Sequence, residues 1–372
     1  MAEIEIGRGR SARQGFDLDD VAIVPSRRTR DVDDVSMAWE IDAFRFELPM
    51  MAHPSDATMS PATVVEVGRL GGLGVLNAEG LWTRYDDPSA VLKGLADIDP
   101  DDGGVPALQA AYAEPIKPEL IAERIAEIRA LGVTTAVRLS PQHTLTYAST
   151  VLDAGIDLLV IQGTVVSAEH VSTSSDPLNL KTFIADLDVP VVVGGCTNYQ
   201  TALHLMRTGA AGIIVGVGAD AWSSTDGVLG VRVPMATAIA DAAAARRDYL
   251  DETGGRYVHV IADGGIATSG DIAKAIGCGA DAVMLGEPLR NAQEAPGGGA
   301  WWQSVAAHPS LPRGRICAAG GQSAGSLRDV LLGPAEDADG RSNLFGGFKR
   351  AMAKCGYSDV KAFQKVELIC SP

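Results

Sequence analysis

Ile276–Leu285 reads IGCGADAVML: the tail of a helix, a glycine that stops it, and a short apolar run. The same phrase stands at Leu152–Val160 (LDAGIDLLV) and at Met206–Val215 (MRTGAAGIIV). In each copy the Gly supplies the left-handed residue that ends a helix, and the aliphatic run after it suits a strand buried on both faces. A recurring helix–Gly–strand unit signals an α/β fold with parallel strands. Outward from these copies, eight strand candidates appear. They are Leu48–Ala52, Gly74–Leu76, Thr135–Leu139, Leu158–Ile161, Val189–Val193, Ala211–Val215, Val258–Ala262 and Ala282–Leu285. Most are followed by a helical pattern, such as Thr201–Thr208 (TALHLMRT) or Gly270–Ile276 (GDIAKAI). Eight β–α steps in one chain favour a (β/α)8 TIM barrel over a doubly wound sheet.

The remaining stretches are additions to that frame. Val105–Tyr112 (VPALQAAY) with Lys117–Leu131 reads as a ninth, partly helical unit, so an inserted β/α unit is expected at about 85–131. Ala295–Gly340 is polar and rich in Gly, and it is expected to form a long flap-like loop. Asn343–Gln364 reads as one or two closing helices. The whole of 1–372 is expected to be one barrel domain.

Composition fits. Apolar residues make up 46% of the chain and aromatics only 5%, so the core must be built from Ala, Val, Leu and Ile. The 42 glycines suit many tight turns between strands and helices. A formal charge of −16 argues against nucleic acid or an anionic membrane as partner. No apolar run reaches the 18 residues that a membrane span needs. MAEIEIGRGR has no apolar leader core, and the five cysteines (196, 278, 317, 355, 370) show no paired spacing. A reducing, cytoplasmic location is the expectation.

In such a barrel the chemistry gathers at the C-terminal ends of the strands. Those ends offer His53, Ser55 and Asp56, then Asn77, then Gln162 and Gly163, then Gly194, Gly195 and Cys196. Next come Gly216, Gly218 and Asp220, then Asp263, Gly264 and Gly265, and finally Gly286 and Glu287. The stretch Gly216–Met235 (GVGADAWSSTDGVLGVRVPM) joins the sixth strand to a helix opening at Pro234. Its Gly-x-Gly turn lets backbone approach a ligand closely, often a phosphate.

Several of these stretches together resemble the IMP dehydrogenase/GMP reductase family. IADGGI (Ile261–Ile266) and Ser269–Gly286 resemble its phosphate and ribose site. GFDLDDVAIVP (Gly15–Pro25), LGGLGVLN (Leu70–Asn77), GVRVPMATAI (Gly230–Ile239) and the NLFGGFKRAMAKCGYSDVKAF tail resemble its other signatures. The likeness is to the short branch without CBS modules. It implies a nicotinamide cofactor, NAD or NADP(H), and a purine nucleotide as ligand. It also implies a covalent mechanism: a cysteine thiolate attacks C2 of the purine, and hydride passes to or from the nicotinamide. By the same likeness Asp263 would hold the ribose hydroxyls. Gly218, Gly264, Gly265 and Gly286 would hold the phosphate, and His53 and Ser55 would line the purine pocket. Gln162, Gly163 and Gly195 would face the cofactor. Carbonyls of Gly216 and Gly218 would hold K+, and the assembly would be a homotetramer.

This chain departs from that pattern at the chemistry. Ser223 stands where the family has its cysteine, with Thr225 two residues on, and no His or Lys adjoins it in sequence. Cys196 is the nearest substitute thiol. Asp220 and Glu287 occupy small-residue positions of the phosphate cradle, and Arg290 follows within a turn. Gln162 replaces a carboxylate for the cofactor ribose. No Arg-Tyr pair occurs in 295–340, where Arg313 and Arg315 are the nearby cations. Two further readings stay open beside the oxidoreductase. One is a non-catalytic purine-nucleotide-binding or regulatory protein on the same fold. The other is a barrel enzyme of different chemistry on another phosphorylated ligand.

Overall fold

The computed structural model describes residues 3–99, 104–173, 177–304, 315–317 and 325–370. Eight parallel strands form one sheet: β1 (Met50–Ala52), β2 (Val75–Asn77), β3 (Ala136–Leu139), β4 (Leu158–Gln162), β5 (Val191–Cys196), β6 (Gly212–Val215), β7 (His259–Asp263) and β8 (Ala282–Leu285). The strands are in sequence order and β8 pairs with β1. The last seam closes where Met51 bridges Leu73 and the Ala52 N–H donates to the Leu73 carbonyl at 2.8 Å. Each expected strand is found within three residues of its place.

Alternation sorts the strand residues. Met51, Val75, Ala136, Leu158, Val160, Val192, Ile214, Ile261, Ala282 and Met284 fill the barrel interior. Their neighbours, such as Leu76, Val137, Leu159, Ile161, Val193, Ile213 and Val260, face outward into the helix layer. The helices there are α1 (Pro61–Arg69), α4 (Pro118–Arg129), α5 (Thr144–Asp153), α6 (Leu180–Ala185), α7 (Tyr199–Met206), α9 (Met235–Thr253), α10 (Ser269–Gly277) and α12 (Leu344–Lys354). A hairpin of Trp39–Ile41 and Phe44–Phe46 closes the floor. Its Trp39, Ile41 and Phe46 join the interior cluster, and Trp39 Nε1 donates to His259 Nδ1 at 3.1 Å.

Among the described residues, the segment added between β2 and β3 holds helices and no strand: α2 (Ser89–Ala96) and α3 (Val105–Ala111). Val105–Tyr112 lacks alternation and opens with Pro106 in the first turn, where proline suits a helix. Lys117–Leu131 is the barrel's own covering helix α4, which packs between α1 and α5. The true insertion is therefore α2 and α3. Their Leu92, Leu95 and Leu108 pack on Ala57, Leu81, Ala300, Trp302 and Ile316.

The two ends of the chain lock the outside. Val21–Ile23 pairs antiparallel with Leu368–Cys370. Asp17 accepts the Met235 N–H at 2.8 Å and pairs with Arg232 at 2.5 Å, which caps α9. Among the described residues no helix is long and apolar enough to cross a membrane.

Candidate functional site at the barrel mouth

A buried polar belt crosses the mouth. Asp263, ending β7, accepts from Gln162 Nε2 at 2.9 Å. The Gln162 carbonyl accepts from Arg138 Nε (3.2 Å) and Nη2 (2.6 Å), and Arg138 Nη1 reaches Asn77 Oδ1 at 3.3 Å. Asn77 Nδ2 contacts Asp56 Oδ2 at 3.5 Å. Five strand ends, those of β7, β4, β3, β2 and β1, are thus joined through side chains. Burial, with the charge of Asp220 beside it, raises the Asp263 pKa to about 7 against the Gln162 bond. Its Oδ1 carries no hydrogen bond among the described residues.

Asp56 also sits in the belt. Burial raises its pKa to about 6, although Tyr112 Oη (2.5 Å) and the Leu81 N–H (3.0 Å) donate to it. Gly80 is required here, because a Cβ would lie 2.1 Å from Asp56 Oδ1. Arg138 further pairs with Glu79 at 3.8 Å, and His143 Nδ1 lies 2.6 Å from the same carboxylate. Burial alone would raise the Glu79 pKa, but Arg138 and the His143 bond outweigh it and hold it at about 2. Arg138, Glu79 and Tyr112 were not among the residues singled out from sequence. The one available signal was an arginine inside the apolar run TAVRL.

At the end of β1, His53 is 5% exposed and its Nδ1 has no partner among the described residues. Burial, helped by Arg138, lowers its pKa to about 3, so the ring is neutral. Ser55 Oγ donates to the Trp302 carbonyl at 2.5 Å. Ser55 therefore faces the segment that lies over the mouth.

That segment decides the far corner. Trp301 and Cys317 exchange both backbone hydrogen bonds, at 2.9 and 2.8 Å. The Trp301 ring packs edge-on to His53 with centroids 5.3 Å apart. It also lies directly on Gly286, where a Cβ would be 2.2 Å from Trp301 Cη2. Gly264 (φ +108°) and Gly265 (φ +67°) form the neighbouring turn, with the Asp220 amide against Gly264. Asp220 accepts from the Trp222 N–H at 2.8 Å and from Gln303 Nε2 at 3.4 Å, and burial raises its pKa. Glu287 pairs with Arg290 at 3.2 Å. Arg290 also donates to the Gly299 carbonyl at 3.3 Å and to Cys317 Sγ. Arg315 is exposed, and Arg313 lies outside the described residues.

Ser223 is 9% exposed, and its Oγ accepts the Thr225 N–H at 3.2 Å at the start of α8 (Thr225–Leu229). No histidine, lysine or carboxylate is among its side chain's hydrogen-bond partners in the described residues. Cys196 is no better a nucleophile: burial pushes its thiol up to about 12. The amides of Gly163 and Gly195 donate to the carbonyls of Gly194 and Gly163, at 2.9 and 3.1 Å. Gln162 Oε1 is buried without a partner among the described residues. Gly216 and Gly218 hold φ of +145° and +70°, with the Val231 carbonyl pressed against Gly218. No group of three His, Cys, Asp or Glu able to hold a metal occurs among the described residues.

Residues 15–308 match the IMP dehydrogenase / GMP reductase domain family. A protein of Mycobacterium leprae named an uncharacterized oxidoreductase is 58% identical over 373 residues, covering 99% of this chain and 100% of its own. An inosine-5′-monophosphate dehydrogenase of Methanocaldococcus jannaschii is 24% identical, over 77% of this chain and 74% of its own. The crystal structure of an IMP dehydrogenase/GMP reductase-like protein from Corynebacterium glutamicum superposes with a TM-score of 0.93 at 53% identity. It covers 99% of this chain and 98% of that one. This chain belongs to the IMP dehydrogenase/GMP reductase family.

Proposed function

From that membership we propose that the chain binds a purine riboside at the barrel mouth. We place it with the nicotinamide-dependent oxidoreductases that interconvert IMP and XMP or GMP and IMP. The observation that carries the reading is Asp263. A carboxylate at the end of β7, fixed through one oxygen by Gln162, keeps its other oxygen for a vicinal diol. Gln162 Oε1, buried and unpartnered, fits the amide or a hydroxyl of a nicotinamide riboside, so Gln162 would serve both partners. When bound, that group supplies the hydride acceptor or donor. By the family likeness, carbonyls of Gly216 and Gly218 would hold K+.

Ser223 supplies no thiolate for the family's covalent route, and among the described residues its oxygen accepts the Thr225 N–H with no base among its partners. That favours a second reading, a purine-binding protein without turnover. Full-length protein incubated with inosine, guanosine, IMP or GMP and NAD or NADPH separates the two. Nicotinamide absorbance changing faster than in a heat-killed control supports the oxidoreductase. A purine-induced rise in Tm without turnover supports the second reading. Neither effect with any purine would sink both.

A further inference from the structure

A cavity of about 470 Å³ lies between the second half of α9, Tyr257 and the short helix Val360–Phe363. Tyr257 precedes β7, so the cavity sits at the foot of the barrel, at the opposite end from the mouth. Its size is ordinary for a small-molecule pocket. Its charge is not ordinary for a chain of −16: Arg246, Arg247, Lys361 and Lys365 line it, against the one carboxylate of Asp359.

These cations are held in place yet unspent. The Arg246 side chain is 9% exposed and donates through Nη1 to Asp281 at 2.5 Å. Its Nε and Nη2 make no hydrogen bond among the described residues, which leaves donors of a fixed guanidinium at the cavity wall. Asp281 is fully used, since the Val260 N–H, Tyr257 Oη and Gln364 Nε2 also donate to it, at 2.8, 2.6 and 3.0 Å. Tyr257, pinned by that bond, carries Arg246 Cζ at 5.1 Å and Lys361 Nζ at 3.9 Å from its ring centre. Asp359 is turned to its own chain and accepts the Ala362 N–H at 2.7 Å and Ser358 Oγ at 2.9 Å. Among the described residues Arg247, Lys361 and Lys365 pair with no carboxylate. Like charges gathered this way repel one another, and an anion between them removes that cost. A long polyanion would meet the acidic remainder of the surface. A small one at physiological salt feels only charges within about 8 Å.

We propose that this cavity binds a diphosphate, free or esterified to a small organic group. Arg246 and Arg247 would fork its oxygens, Lys361 and Lys365 would add point charges, and Leu250 and Ala362 would lie under the carbon part of an ester. Its place opposite the mouth makes this site independent of the purine reading above.

Calorimetric titration of the full chain with inorganic pyrophosphate and with uridine 5′-diphosphate, at matched ionic strength and without divalent metal, tests it. Neither probe carries a purine. Saturable binding to one site per chain is expected for at least one of them, and the tighter tells whether the cavity takes its diphosphate free or esterified. Arg247→Ala and Lys361→Ala, both at exposed positions, are each expected to weaken that binding about threefold or more. Asp263→Asn at the mouth is expected to leave it unchanged within about twofold. Melting curves show that the variants are folded. Sulfate binding as tightly as either probe, or no saturable binding at all, would overturn the proposal. So would an affinity that follows Asp263→Asn and ignores the two changes at the cavity.

Discussion

Asp263 is a carboxylate kept in surroundings that prefer it protonated. In the folded chain it releases its proton near pH 7, whereas an unfolded Asp does so near pH ~4. The folded state therefore binds more protons between those values, and stability falls as pH rises through that window. Asp263→Asn removes the penalty. At pH 8 the ligand-free variant is expected to be more stable by roughly 2–4 kcal/mol, with a flatter dependence of Tm on pH between 4 and 7. A Tm that tracks the parent at every pH would show that the mouth solvates this charge after all. Ser223 carries the second test at this scale. Ser223→Cys puts a thiol where the family resemblance implies one, but among the described residues no base is bonded to that side chain. Turnover of any purine is expected to stay within about twofold of the parent, since nucleophile and base act as a unit. Restoration of robust activity by this one change would contradict the account of the loop.

Among the elements, the segment around Trp301 binds two structures together. It packs Trp302 into the cluster of α2 and α3 and lays Trp301 on the turn after β8. Gly286→Ala is expected to displace the indole, costing about 1–3 kcal/mol in urea unfolding and shifting the tryptophan emission to the red. Unchanged emission and stability would mean that the ring does not rest there. Trp39→Ala in the floor hairpin should cost about 3–5 kcal/mol, because a fully enclosed indole and its bond to His259 are lost together. All eight strands were legible in sequence because burial on both faces leaves short runs dominated by apolar residues, several of them bounded by glycine. The floor hairpin was not: three-residue strands with one charged position each carry too little pattern. Trp301 was missed for a different reason. Nothing local in GGGAWWQ says that an aromatic residue comes back to lie on Gly286. The belt of Arg138, Asn77, Gln162 and Asp263 likewise depends on which strand ends become neighbours, which only the closed sheet determines.

For the whole molecule, the charge of −16 sets a background of self-repulsion. Raising salt from about 0.01 to 0.2 M is expected to raise Tm, as the screening length shrinks from ~30 Å to under ~10 Å. A Tm that falls instead would point to ion pairs outweighing that repulsion. The hairpin of Glu3–Gly7 and Arg10–Arg13 projects with every residue exposed, Ile4 and Ile6 included. Two strands alone are marginal in water, so we propose that a second copy covers them in a homotetramer. Removing residues 1–13 should then lower the mass seen by light scattering, and an unchanged mass would place the contact elsewhere.

The antiparallel join of Val21–Ile23 to Leu368–Cys370 has a consequence in time as well as in space. On a ribosome adding roughly 5–20 residues per second, the first partner emerges tens of seconds before the second exists. During that interval the flank of α10 on which the Val21–Ile23 strand packs lacks the join that fixes it. The newborn chain can close its barrel before the Leu368–Cys370 strand arrives to fasten its outside. Removing residues 368–370 would thus leave the eight-stranded barrel assembled and this antiparallel fastening undone.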